Sequence, residues 1–130
     1  MSLPVMRMPA VKFRFLSLLL MTAISSPAAA AVGATGPVYI ENISIIEQAV
    51  LGHRAGNLEL KIKDGFTLPA GLTCSNVYIT TLEADDPKKR LFALLTAAKM
   101  TQQPLLLHIS DDPQHAAIPG RCSLVAATVL

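Results

Sequence analysis

Aromatic side chains are scarce in this sequence. Beyond residue 31 only Tyr39, Phe66, Tyr78 and Phe92 remain, so few positions can stack on a sugar ring or a base. Motifs for chemistry are missing as well. There is no G-x-S-x-G nucleophile elbow, no H-E-x-x-H or H-x-x-x-H for a metal and no C-x-x-C. His53, His108 and His115 fall on separate predicted elements. A metal held by His115 with Asp111 and Asp112 is the sharpest alternative. Adjacent carboxylates such as Asp85/Asp86 and Asp111/Asp112 are, however, ordinary at helix caps and turns. No enzymatic activity, metal or cofactor is expected.

A long apolar run is also lacking. Residues 15–24 (FLSLLLMTAI) are apolar, about half of the ~20 residues that span a bilayer. Arg7, Lys12 and Arg14 precede this run, Ser25, Ser26 and Pro27 break it, and the alanines at 28–31 offer A-x-A cleavage frames. That layout reads as a secretory signal peptide over 1–31, cleaved after Ala30 or Ala31. The product is expected to be exported, periplasmic or secreted, with no membrane segment left.

A basic excess disappears with the leader. The full chain has 11 Lys+Arg and 9 Asp+Glu, net +2. Three of the cations and none of the acids lie in 1–31, so residues 32–130 carry eight cations against nine anions. A nucleic-acid partner therefore has no electrostatic support. The triplet Lys88-Lys89-Arg90 is read as a solvated helix face. Residues 32–130 are enough for one domain with one small core.

Two cysteines remain, Cys74 and Cys122. Behind a signal peptide an even pair reads as a disulfide, and two cysteines allow one intramolecular pairing. A metal pair or a redox site is the competing reading, and the wide spacing argues against both.

Periodicity supplies the elements. Residues 32–37 (VGATGP) read as a flexible lead-in. Val38 and Ile40 alternate with Tyr39 and Glu41, and then Ile43 and Ile45 take over the apolar parity. A period of two cannot switch in a regular strand, so a β-bulge is expected near Glu41-Asn42, within a long curved strand over 38–50. Residues 52–56 (GHRAG) read as a turn. Over 57–63, Leu58, Leu60 and Ile62 alternate with Glu59, Lys61 and Lys63, a half-solvated antiparallel strand. Residues 74–82 (CSNVYITTL) form a third strand. Asp86 as N-cap and Pro87 at the first helical position predict a helix, with Leu91, Leu94, Leu95 and Ala98 as its apolar stripe. Strands over 105–110 and 122–130 follow, separated by a polar loop.

The order β-β-β-α-β-β, with a long first strand and one helix, predicts a mainly β domain, a five-stranded OB-fold Greek-key barrel over 32–130. A ferredoxin-like sheet would need a second helix. Cys74 ahead of a strand, the helix KRLFALLTAAKMT over 89–101, Gln103-Pro104 leading into 105–109, and the closing strand at Cys122 resemble small secreted OB-fold proteins related to the B subunits of bacterial AB5 toxins. The style is that of the subtilase-cytotoxin binding subunit. The resemblance covers about half of residues 32–130. It implies an OB barrel, a homo-oligomeric ring and a glycan ligand.

OB-folds bind through the face of strands two and three and the loops joining strands one–two and four–five. By that analogy the candidate ligand-binding residues are Tyr78, His53, Arg54, Asp111 and Asp112. Tyr78 lies between the apolar Val77 and Ile79, so its ring is expected on the outer face. The expected function is a non-catalytic binding module. The alternative is a stand-alone periplasmic protein that binds and inhibits or stabilises a partner enzyme. A small exported hydrolase is the weakest of the three.

Overall fold

A computed structural model describes residues 29–130. The expected signal peptide lies almost wholly outside them. Strand β1 spans Val32–Ala34, β2 Ile40–Ile46, β3 Asn57–Ile62 and β4 Tyr78–Leu82. A 3-10 turn at Glu83–Asp85 leads to helix α1 at Arg90–Thr101. Strands β5, Leu105–Ser110, and β6, Cys122–Val129, complete the chain.

All six strands belong to one sheet, in the order β1-β5-β6-β4-β3-β2. The β4–β6 pair is parallel and the others are antiparallel. The fold is mainly β with one helix, as expected, but it has six strands rather than five. The two edge strands of the sheet, β1 and β2, are consecutive in the chain. An isolated bridge joins Val38 to Leu105 through N–O contacts of 2.9 and 2.8 Å. The sheet therefore curves, but it is not closed by a continuous ladder into the expected five-stranded barrel.

Several expected boundaries move. Residues 32–37 are not a loose lead-in. Val32, Gly33 and Ala34 pair with Ser110, Ile109 and His108, which satisfies the outer backbone edge of β5. Thr35 is buried, its hydroxyl accepting from Leu107 N at 3.2 Å. The long first strand over 38–50 shortens to Ile40–Ile46, because 47–50 are exposed and have no ladder partner. Its bulge is present: the β2–β3 register shifts between Ile40 and Asn42. The third strand begins at Tyr78 rather than at Cys74. Before it, the Ser75 hydroxyl accepts from Val77 N and Tyr78 N, both at 3.2 Å, and holds a turn.

The helix also starts later than its local signals indicate. Asp86-Pro87-Lys88-Lys89 is a turn, closed by Lys89 N donating to Asp86 O at 2.9 Å. Proline suits the second position of such a turn as well as it suits a helix start. Lys89 then takes a left-handed conformation, φ 54°, and the helix begins at Arg90. Asp86 still caps it. Its carboxylate accepts from Leu91 N and Phe92 N at 3.2 and 3.0 Å, which satisfies two open donors of the first turn.

The core lies on the concave side of the sheet. Leu60, Ile62, Ile79, Leu105, Leu107 and Ile109 are all essentially buried, with Leu95 and Ala98 of α1 against them. Cys74 and Cys122 are disulfide-bonded, Cα–Cα 5.3 Å. The bond ties the approach to β4 to the start of β6. No helix among the described residues is long and apolar enough to cross a membrane.

Candidate functional site

The alternation of β3 turns Glu59 and Lys61 to the convex side, opposite Thr80 and Tyr78 of β4. Parallel to β4 runs β6, so Arg121, just ahead of Cys122, arrives beside Tyr78. Its guanidinium lies 4.4 Å from the Tyr78 ring centroid, within cation–π range. Its Nε donates to Glu59 Oε2 at 3.1 Å. His53 Nε2 stands 3.9 Å from the same oxygen. Tyr78, Arg121, Glu59 and His53 thus form one row. His53 and Glu59 are mostly covered, with side chains 12% and 14% exposed, and Arg121 is 27% exposed. The Nδ1 of His53 is buried with no partner in the protein. Beyond Tyr78, Lys61 Nζ donates to Glu41 Oε1 at 2.7 Å. That hydrogen bond, with the Glu41 charge behind it, holds the Lys61 ammonium above its ordinary pKa.

Two loops frame the row. The β2–β3 loop, 47–56, and the β5–β6 loop, 111–121, are joined at Arg54. Its backbone N donates to Ala117 O at 2.7 Å and its Nη1 to Gln114 O at 2.8 Å. The second loop lies over Thr80, whose hydroxyl accepts from Ala117 N at 3.2 Å. Thr80 is fully buried as a result, so the loop covers one end of the convex face and leaves the Tyr78 end accessible. A cavity of about 300 Å³ opens between the loops, with Arg54, Thr73, Asp111 and Arg121 in its wall.

The five residues singled out from sequence fare differently. Tyr78 and His53 belong to one row, linked through Arg121 and Glu59. Tyr78 is on the convex side as expected, but half-buried under Arg121 rather than free. Arg54 and Asp111 meet at the loop cavity. Asp111 accepts from Thr73 N and Oγ1 at 3.3 and 3.5 Å. Asp112 accepts from Gln114 N at 2.9 Å, a turn-closing bond. His115 pairs with Asp85, Nδ1–Oδ1 2.9 Å, and not with Asp111 or Asp112. Among the described residues no three His, Cys, Asp or Glu side chains gather as a metal site.

Sequence reasoning missed Arg121 and Glu59. Glu59 carried a signal, since its parity in β3 places it outward. Arg121 carried only its neighbour, Cys122, whose disulfide fixes where it enters the sheet. No protein-family model matches the chain, and no curated protein or solved structure matches it.

Proposed function

We propose that this chain is an exported, non-catalytic binding module whose ligand is a glycan laid across the convex face of β3 and β4. The observation that carries the reading is the Tyr78–Arg121–Glu59–His53 row beside the loop cavity. A guanidinium, a carboxylate and an imidazole with an unpartnered buried nitrogen offer donors and acceptors in fixed positions. The half-exposed ring edge supplies the apolar surface a sugar needs. Because Arg121 and Glu59 are held by each other, little side-chain entropy remains to be lost on binding. The resemblance to toxin B subunits points the same way and rests on its residues alone. Glycan-array binding and thermal melting of Arg121→Ala test the proposal. Binding should fall about fivefold or more, the loss of an anchor of over ~1 kcal/mol, with the fold retained. Unchanged binding rejects the row as the site.

A second reading has its own observation. Val50 and Leu51 project from the tip of the β2–β3 loop, Leu51 being 89% exposed in a left-handed conformation, φ 51°. An apolar pair at a loop tip is an anchor for a protein partner, in line with a protein that binds an enzyme. Leu51→Asp abolishes capture of such a partner and leaves glycan binding untouched.

A further inference from the structure

A second recess lies on the other side of the sheet, away from the Tyr78 row. It is a cleft of about 250 Å³ between the N-terminal end of α1 and the ends of β2, β3 and β4. Leu58, Leu91, Phe92 and Leu95 give it apolar walls. One of its lining residues carries a polar atom that nothing in the protein satisfies. Thr81 is 5% exposed and its Oγ1 has no partner. Thr81 stands opposite Leu58 in the β3–β4 register, so it shares the concave side with an apolar wall of the cleft. Buried polar atoms are ordinarily paired, and leaving them open costs folding free energy. An open hydroxyl in an apolar wall marks a place where a ligand completes the bonding.

The sign of the ligand follows from the rim. Glu47, Glu83, Asp86 and Lys89 border the cleft. Lys89 is paired with Glu83 at 2.6 Å, and Asp86 is engaged by the helix N–H groups. Glu47 makes no ion pair among the described residues. Three carboxylates against one ammonium favour a cation and disfavour an anion. The Thr81 hydroxyl can accept, as can the rim carboxylates, so the head should donate. The volume lies below the ~300–1,000 Å³ of drug-sized sites, which sets the size.

We infer that this cleft is a binding site for a small organic ammonium, its aliphatic or aromatic body among Leu58, Leu91, Phe92 and Leu95 and its head against the Thr81 hydroxyl, towards the Glu47 carboxylate of the rim. The site is separate from the glycan face, and the two stand or fall independently.

The probe is phenethylamine, titrated into the exported protein and followed by amide chemical shifts, with 3-phenylpropionate as the charge-reversed control. Saturable shifts should appear at Leu58, Thr81 and Phe92 with the amine and not with the carboxylate. Thr81→Val keeps the shape and removes the hydroxyl; it should weaken the amine about fivefold or more without lowering the melting temperature. Glu47→Gln, an exposed change that leaves the core alone, should weaken it as well. Arg121→Ala should bind the amine normally. Absence of saturable shifts in the cleft overturns the inference. So does equal binding of the carboxylate, or unchanged amine affinity in both Thr81→Val and Glu47→Gln.

Discussion

Glu59 holds Arg121 through one oxygen, with His53 Nε2 3.9 Å from the same atom, and this arrangement sets the behaviour of single residues on the convex face. Arg121 is kept over Tyr78 by its 3.1 Å bond to Glu59, so the ring, the guanidinium and the carboxylate act as a unit. Tyr78→Ala removes one side of that unit. It should weaken ligand binding and also lower stability by about 1 kcal/mol, since the ring is half-buried and stacked rather than free. Paired binding and melting measurements check this. A variant that binds normally and melts far lower would make Tyr78 a purely structural residue. The Lys61–Glu41 pair behaves differently. Because the pair raises the Lys61 pKa, its contribution is present below the ordinary lysine value and is lost as pH rises through the folded value. It stays constant across neutral pH.

Element ends obey longer-range demands than their own residues express. Strand β1 is three residues long and exists because β5 has an edge to satisfy. A Cβ built on Gly33 would lie 2.3 Å from Pro69 Cβ, too close for any real side chain. Gly33→Ala should therefore displace β1 or the 67–71 loop, at a cost of roughly 1–3 kcal/mol. Amide exchange should show β1 and the β5 edge opening first. An unchanged melting curve would mean that β1 does not hold that edge. At the helix, Asp86→Ala leaves the Leu91 and Phe92 N–H groups without their acceptor. A loss of about 1–2 kcal/mol is expected, read from denaturant melts, and Asp86→Asn should recover most of it. Equal melts for Asp86→Ala and the parent would deny it the capping role.

For the whole molecule the disulfide is the main long-range constraint. It closes a separation of 48 residues, worth about 4 kcal/mol in the chain-entropy model. Cys74→Ser and Cys122→Ser should each destabilise by about 2–5 kcal/mol, and the double variant by little more than either. Thiol titration of the unfolded, unreduced protein should find no free cysteine. The same bond fixes the entry of β6 beside β4, and with it the position of Arg121, so reduction should also weaken the binding proposed for that face.

Local chemistry determined what could be read along the chain. The Leu58/Leu60/Ile62 parity announced β3, the parity switch at Glu41-Asn42 announced the bulge, and the cysteine pair announced the disulfide, because each signal lies within the residues that form the feature. The candidate positions Tyr78, His53 and Arg54 were legible only as neighbours of an expected face. Tertiary structure decided the rest. Val32–Ala34 becomes a strand because its partners lie some seventy-five residues away on β5. The Asp86–Lys89 turn delays the helix although Asp86-Pro87 equally fits a helix start. Arg121 meets Tyr78 and Glu59, and Arg54 meets Gln114 and Ala117, across separations of 43 to 63 residues. Hydrogen bonds and ring contacts depend on distance in space, and a one-dimensional pattern records only the distance along the chain.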